Sequence, residues 1–119
     1  MPVPSDLCIN ERIALAKGWS TIQVRIGALP NFVGTLEGVA GLMRELQEEQ
    51  DRKNEARLYR TDARLIWSWT YLPDKKEYLC ILENEVGYEY EAFVSPSDRP
   101  GDCVGNAYLS MKEAADARK

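Results

Sequence analysis

The segment RLIWSWTYLPDKKEYLCILENEVGYEYEAFV, residues 64–94, decides the fold because it contains three strand-like runs in direct succession. PDKK is a turn signal with proline at its first corner, and NEVG separates the second and third runs. Short connections between successive strands indicate an antiparallel meander. The sequence therefore predicts three neighbouring antiparallel strands in this half of the chain.

The first run carries two of the three tryptophans, and its alternation separates two faces. Trp67 and Trp69 share a face with Leu65, whereas Ser68 and Thr70 lie on the other. Serine and threonine tolerate water, so we expect the tryptophan face to pack beneath a helix. Trp67 is interpreted as a core residue. For Trp69, nearer the end of the strand, a core position and a ligand-stacking position both stay open.

The third run also alternates, but both of its faces carry polar groups. Tyr88, Tyr90, Ala92 and Val94 share one face, and Glu89, Glu91 and Phe93 share the other. Alternating glutamates could in principle perform acid–base chemistry. We interpret them instead as exposed residues that keep the sheet soluble.

The flanking segments predict helices and one further strand. LCINERIALAKG, residues 7–18, is typical of a short helix that Ser5 or Asp6 caps and that Gly18 ends in the left-handed conformation. TIQVRI, residues 21–26, alternates cleanly and predicts a half-buried edge strand.

Two longer amphipathic segments predict the remaining helices. Thr35 is expected to cap a helix over residues 36–54, and Asp102 to cap a closing helix. The apolar stripe of the first contains Leu36, Val39, Leu42 or Met43, and Leu46. The stripe of the second contains Val104, Ala107 or Tyr108, Met111, and Ala114 or Ala115. Gly38 and Gly41 weaken the first helix but allow a neighbouring element to approach closely.

The resulting order, α-β-α-β-β-β-α, predicts a single α+β domain over residues 1–119. We expect an antiparallel sheet of about four strands packed with an N-terminal, a middle and a C-terminal helix as an α-β-α sandwich. LYRTD, residues 58–62, fits either a short strand or a loop.

Composition excludes several classes of function. The net charge of −4 argues against general nucleic-acid binding, and no apolar run is long enough to cross a bilayer. The N-terminus has no basic and apolar signal pattern, so a cytoplasmic location is expected. The chain has no histidine, and its three cysteines, Cys8, Cys80 and Cys103, lack metal-ligand spacing. We therefore expect reduced thiols, no metal, no cofactor and no catalytic residues.

The candidate ligand-binding residues are basic and aromatic. Arg57, Arg60 and Arg64 are spaced by three and four residues and could hold phosphate or carboxylate oxygens. The alternative is a solvated face paired with nearby acids. Arg99, in the loop before the last helix, is a second anion candidate. Trp69, Tyr88 and Tyr90 would supply π-faces for a nucleotide base.

Three segments carry a resemblance to a known family. These are INERIALAKGW, LPNFVGTLEGVAGLMREL and GNAYLSMKEAA, which occur in this order over nearly the whole chain. Together they resemble the phage ABA-sandwich domain, a family of small bacteriophage and prophage proteins. The resemblance implies a helix–sheet–helix sandwich in a phage accessory protein. It implies no activity and no catalytic residues.

This resemblance leads to a functional expectation. We expect a non-enzymatic accessory protein in the host cytoplasm that antagonises host immunity by sequestering a small anionic ligand, such as a nucleotide second messenger. The alternative is an inhibitor that covers a surface of a host defence protein, as anti-CRISPR proteins do, and an enzyme ranks third. A flat exposed apolar or acidic patch would favour the surface inhibitor. We also expect a homo-oligomer, with a two-fold dimer as the default, because an edge strand and several aromatics gain from a symmetric interface.

Overall fold

The three-stranded antiparallel meander is confirmed in the computed structural model, which describes residues 8–26, 30–56, 65–84 and 87–117. The strands are β1, Ile66–Leu72; β2, Glu77–Glu83; and β3, Glu89–Pro96, in the spatial order β1-β2-β3. The register places Cys80 opposite both Trp69 and Phe93. A β-bulge lies where β2 passes from Leu82 to Glu83.

Both hairpin turns occur where the sequence predicts them. Residues 73–76 form the first turn, in which Lys76 has a positive φ of 54°. At the second, Gly87 has a φ of 88°, a conformation that glycine adopts without steric cost. The Asn84 side chain accepts a hydrogen bond from the backbone N–H of Tyr88 at 2.9 Å. These turn residues fix the register of the two hairpins.

The two long helices pack on the same face of the sheet. They are α3, Leu36–Ala56, and α4, Asp102–Ala117. We call this covered side the inner face; its residues are Trp67, Trp69, Tyr71, Tyr78, Cys80, Leu82, Glu91, Phe93 and Ser95. One hydrophobic cluster joins Trp67 and Cys80 to Leu46 of α3 and Tyr108 of α4. Trp67 retains 8% of its exposure, so its interpretation as a core residue is confirmed.

The opposite side of the sheet, which we call the outer face, carries no helix among the described residues. By strand pairing its members are Ile66, Ser68, Thr70, Leu72, Glu77, Leu79, Ile81, Glu83, Glu89, Ala92, Val94 and Pro96. The bulge residue Tyr90 has no partner in β2, and we group it with this face because it lies two residues before Ala92. The fold is therefore α+β as predicted, but the α-β-α sandwich with its four strands is not confirmed. In the described part of the chain one helical layer covers one face of a three-stranded sheet.

The predicted edge strand TIQVRI is wrong, because these residues form helix α2, Thr21–Ile26. Ser20 and Gln23 form a reciprocal capping box. The Gln23 N–H donates to the Ser20 Oγ at 3.1 Å, and the Ser20 N–H donates to the Gln23 Oε1 at 2.8 Å. Val24 is buried, whereas Ile22 and Ile26, one helical turn apart, are 69% and 80% exposed. The alternation therefore reflects two helical faces rather than a strand.

The ends of the other helices agree with several predictions. Helix α1, Ile9–Ala16, ends before Gly18, whose φ of 102° confirms the left-handed position. Cys8 occupies its N-cap position, while Ser5 and Asp6 lie outside the described residues. The Thr35 Oγ1 accepts a hydrogen bond from the Gly38 N–H at 3.0 Å, which confirms the cap of α3.

Two details of α3 and α4 differ from prediction. Leu36 is 75% exposed, because the first turn of α3 extends beyond the core, so its place in the apolar stripe is wrong. Val39, Leu42 and Leu46 are buried as predicted. Helix α4 begins at Asp102, so this residue lies in the first turn rather than before it.

Gly38 confirms the expected close approach of a neighbouring segment to α3. A Cβ atom at this position would lie 2.4 Å from the Asn31 carbonyl oxygen and 2.6 Å from that of Phe32. At Gly41, in contrast, a Cβ atom would meet nothing within 4 Å. Gly38 therefore allows the 30–35 loop to pack directly against α3, whereas Gly41 has no neighbour within 4 Å.

Candidate functional site

Trp69 is a structural anchor on the inner face. Its indole N–H donates to the Pro100 carbonyl at 2.9 Å, and its ring contacts Tyr78 with centroids 5.6 Å apart. The same carbonyl accepts from the Ser95 hydroxyl at 3.4 Å and from the Cys103 thiol at 3.5 Å. These three donors fix the loop between β3 and α4, so the polar edge of Trp69 is already used within the chain.

A cleft of about 480 Å³ lies between the end of α1, the 30–35 loop and the first half of α3. Its lining includes Lys17, Phe32, Glu37, Arg44 and Glu45. Two bases and two acids among these residues cancel in charge. The cleft therefore offers no general attraction for anions.

Lys17 already has partners within this cleft. Its ammonium group pairs with Glu45 and lies 4.9 Å from the centre of the Tyr108 ring and 5.4 Å from that of Phe32. The Tyr108 hydroxyl donates to the Glu45 Oε1 at 3.3 Å. Burial first, and then the Glu45 carboxylate, raise the pKa of Tyr108, so the phenol stays protonated and cannot act as a base near neutral pH. Lys17 thus joins α1, α3 and α4.

Arg44, the other base of the cleft, differs from Lys17 in its surroundings. It is exposed at the rim, and no acid among the described residues forms an ion pair with it. A single exposed guanidinium can hold one carboxylate or phosphate oxygen pair but contributes little free energy on its own.

The outer face of the sheet carries exposed apolar side chains on both of its edge strands. Ile66 is 40%, Tyr90 46% and Val94 54% exposed, while Ile81 on the central strand is buried. Tyr88, at the start of β3, is 66% exposed, and its ring lies 5.3 Å from that of Tyr90 at an angle of 57°. Apolar and tyrosine side chains are thus presented together on a flat surface.

Acidic residues border this surface at one end. Glu83, at the end of β2, lies opposite Glu89, at the start of β3, and Glu91 follows two residues later. Glu89 and Glu91 are exposed, as the sequence predicts. The second hairpin therefore presents two tyrosines and three carboxylates within a short distance of one another.

The residues predicted to form one ligand site do not meet within the described structure. Arg57, Arg60 and Arg64 lie outside the described residues. Arg99 is exposed beyond the last residue of β3, whereas Tyr88 and Tyr90 are at its beginning, a strand length of about 25 Å away.

Two contacts nevertheless involve these predicted ligand-binding residues. Tyr88 contacts Tyr90, and Trp69 bonds to Pro100, the residue after Arg99. Burial raises the pKa of Asp102, and the Arg99 guanidinium opposes that rise. Trp69 lies on the inner face and Tyr90 on the outer face, so they cannot stack on one base.

Sequence reasoning did not identify the Lys17 cluster. Glu45 is 28 residues from Lys17, and Tyr108 is 63 residues from Glu45. No local spacing connects these positions, and Tyr108 was one of two options for an apolar stripe.

Comparisons of the chain with protein-family models, with curated proteins and with solved structures find no match. The resemblance to the phage ABA-sandwich domain therefore remains an expectation from sequence motifs. Among the described residues, no helix is long and apolar enough to cross a membrane, and no group of three His, Cys, Asp or Glu side chains could hold a metal ion.

Proposed function

We propose that the chain is a non-enzymatic binding protein that covers a surface of a partner protein with the outer face of its sheet. The observation that supports this proposal is the unequal coverage of the sheet. Helices α3 and α4 pack on the inner face, while Ile66, Tyr90 and Val94 stay exposed on the outer one. Exposed apolar side chains gathered on one uncovered face are typical of interaction sites in soluble proteins.

The residue types on the outer face fit protein recognition. Tyrosine is enriched in the centres of interfaces because it combines apolar area with a polar group and few rotatable bonds. Val94 and Ile66 add aliphatic area that a partner can remove from water. A small molecule needs a concave site that encloses it, whereas a flat surface can be covered by another protein.

The context comes from the resemblance to phage accessory proteins. A phage protein of this kind would meet its partner in the cytoplasm of a bacterial host, and we propose a host defence protein as that partner. Binding to its surface would block its assembly or its access to target, as in anti-CRISPR inhibition.

Affinity capture from a bacterial host that expresses a defence system tests the proposal. The wild-type chain should retain a defence protein, and Val94→Lys should lose it, because a lysine would be desolvated in the interface. Ile22→Lys, on an equally exposed isoleucine of α2, is the matched control and should retain the partner. Equal capture by all three proteins, or capture of no defence protein, would contradict the proposal.

The second candidate function is sequestration of a small anionic ligand, such as a nucleotide second messenger. Arg44, which forms no ion pair among the described residues and lines the same cleft as Phe32, favours it. Calorimetric titration with linear and cyclic nucleotides tests this function. Binding that Arg44→Ala weakens about two- to fivefold, as expected for an exposed ion pair, would support it. No heat from any nucleotide would leave the protein-binding function as the only candidate.

A further inference from the structure

We infer that the free edge of β3 accepts an extended, lysine- or arginine-bearing segment of the partner protein as a fourth strand of the sheet. This inference rests on the proposed function, and it names the chemistry of the partner and the way in which it docks. An added strand would also enlarge the contact area, which the outer face alone leaves small. The outer face spans about 14 by 23 Å, or roughly 300 Å², which is well below the 800 Å² that each partner contributes to a standard interface.

The two edges of the sheet differ in how the chain covers them. On β1, the Gln47 side chain from α3 accepts from the Trp67 N–H at 2.8 Å and donates to the Leu65 carbonyl at 3.4 Å. On β3, strand pairing is with β2 alone, and among the described residues only the Arg99 N–H bonds to one of its outward backbone groups, the Pro96 carbonyl, at 3.0 Å. An uncovered edge of this kind is a template for pairing with another chain.

The pairing surface is long enough for a strand. Beyond the bulge, β3 pairs regularly with β2 from Glu91 to Pro96. That length matches the usual five or six residues of a strand. A segment added there would gain main-chain hydrogen bonds, and its side chains would alternate between the two faces.

Charge at this edge selects the occupant. The strand sequence EYEAFVSP contains Glu89 and Glu91 and no lysine or arginine, and Glu83 lies opposite Glu89. The Tyr88 and Tyr90 rings add π-faces, which attract cations. Lysine or arginine side chains on an added strand would therefore meet Glu91 on the inner side and the tyrosine rings on the outer side.

The same charges disfavour a second copy of this chain at the edge. Two antiparallel β3 strands paired over Glu91–Pro96 would place Glu91 of each copy opposite Pro96 of the other, so a second copy would bring no cation to these glutamates. Lys53 and Glu49, which line a cavity beside Glu91, are the other charged groups near this position. They offset each other, so the edge remains acidic.

That cavity would receive alternate side chains of the added strand. It has a volume of about 150 Å³ and opens between α3 and α4, with Trp67, Glu91 and Met111 among its lining residues. Side chains on the inner side of the added strand would point toward this cavity, and those on the outer side toward Tyr90. The site thus combines main-chain pairing with a pocket of mixed polar and apolar lining and with carboxylates for cationic side chains.

An NMR titration of the ¹⁵N-labelled chain with short blocked peptides tests the inference. An alternating Lys-Val peptide should shift the amide signals of residues 89–94, and an alternating Glu-Val peptide should not. A Lys-Val peptide with alternate backbone nitrogens methylated should also give no shifts, because it cannot form the strand hydrogen bonds. Glu91→Gln should weaken binding of the Lys-Val peptide about two- to fivefold, as expected for an exposed ion pair. Glu77→Gln, at the opposite end of the sheet, should leave binding unchanged.

Besides the absence of any shift with the Lys-Val peptide, three outcomes would overturn the inference. These are equal shifts with both peptide types, shifts that survive backbone methylation, and shifts of the same amides that depend only on protein concentration, which would identify a second copy as the occupant. The capture experiment above keeps the two proposals distinguishable. Capture that depends on Val94 together with a silent peptide titration would reject the edge-pairing inference alone.

Discussion

The same three strands present two faces in opposite surroundings. On the inner face, Trp67, Cys80 and Phe93 lie beneath two helices, and Trp67 and Cys80 are almost completely removed from water. On the outer face, Tyr90 and Val94 alternate with these residues along the chain but keep about half of their surface exposed. Both faces carry aromatic and aliphatic side chains, so residue type alone does not distinguish them.

The difference shows that coverage by helices, rather than residue type, decides whether a side chain of this sheet packs in the core or can contact a partner. A tyrosine beneath a helix stabilises the fold, and a tyrosine on an open face is available to a partner. The contrast extends to other parts of the molecule. Gly38 and Gly41 lie on the same helix in closed and open surroundings, and the thiols of Cys80 and Cys8 differ in the same way.

The largest expected effect compares one aromatic residue on each face. Trp67→Ala should lower the free energy of unfolding by about 3 to 5 kcal/mol, because it leaves a cavity in the core. Tyr90→Ala should change it by about 0.5 kcal/mol or less, as expected for an exposed position. Urea denaturation of both variants measures the difference. Similar losses in the two variants would mean that the outer face is covered, which would break the comparison.

The two glycines of α3 allow closed and open surroundings to be compared within one helix. Gly38→Ala should destabilise the domain by about 1 to 3 kcal/mol, since its methyl group would collide with the backbone of the 30–35 loop. Gly41→Ala should stabilise it by up to about 1 kcal/mol, because alanine favours the helix and meets no neighbour. Thermal unfolding followed by circular dichroism should show shifts of opposite sign. A shift of the same sign in both variants would contradict the assigned surroundings.

Alkaline pH tests the burial of the inner face. Burial first, and then the neighbouring Cys103, raise the pKa of the Cys80 thiol from 9.0 to about 12. Above pH 9 the unfolded chain loses this proton while the folded chain keeps it, so stability falls as pH rises. The expected slope from this group is about 1.4 kcal/mol per pH unit between pH 9 and 12.

Urea denaturation across this pH range compares wild type with Cys80→Ala. The variant should be less stable overall and should show a shallower decline with pH. A decline of the same steepness in both proteins would show that Cys80 does not carry this effect.

The smallest effect on stability is expected at the exposed thiol. Cys8 is exposed, whereas Cys80 and Cys103 are buried. In the native protein, a thiol reagent should therefore modify one cysteine rapidly and the other two only after unfolding. Cys8→Ser should remove the rapid phase and leave the free energy of unfolding within about 0.5 kcal/mol of wild type. Rapid modification of two or three thiols would contradict the buried positions on the inner face.

The sequence predicted those elements whose signals are local. The bounds of β2 follow from the alternation of its residues. The cap of α3 follows from the hydroxyl of Thr35, and the left-handed conformation of Gly18 follows from its missing side chain. TIQVRI shows the limit of this reasoning, because its apolar residues alternate while the capping box of Ser20 and Gln23 favours a helix. In a six-residue segment the cap outweighed the alternation.

Long-range contacts could not be predicted in this way. The alternation of β3 separated its two faces correctly from Glu91 to Val94, but the bulge places Glu89 opposite Glu83 of the outer face rather than with Glu91 and Phe93. Nothing in the alternation indicated which face α3 and α4 would cover. The cleft is another example, because Lys17, Glu45 and Tyr108 belong to three different helices. The homo-oligomer stays a prediction, and one of its reasons, the edge strand at residues 21–26, is removed by the helical structure of that segment. Light scattering at micromolar concentration tests it.

Photo-cross-linking from single positions tests the central claim most directly, namely that the outer face of the sheet binds a partner protein. A benzoylphenylalanine introduced in place of Val94 should give, on irradiation of host cells, an adduct with a defence protein. The same group in place of Ile22, which is also exposed, should give none. No adduct from either position, equal adducts from both, or an adduct of twice the 13.5 kDa chain mass from position 94 would contradict the account.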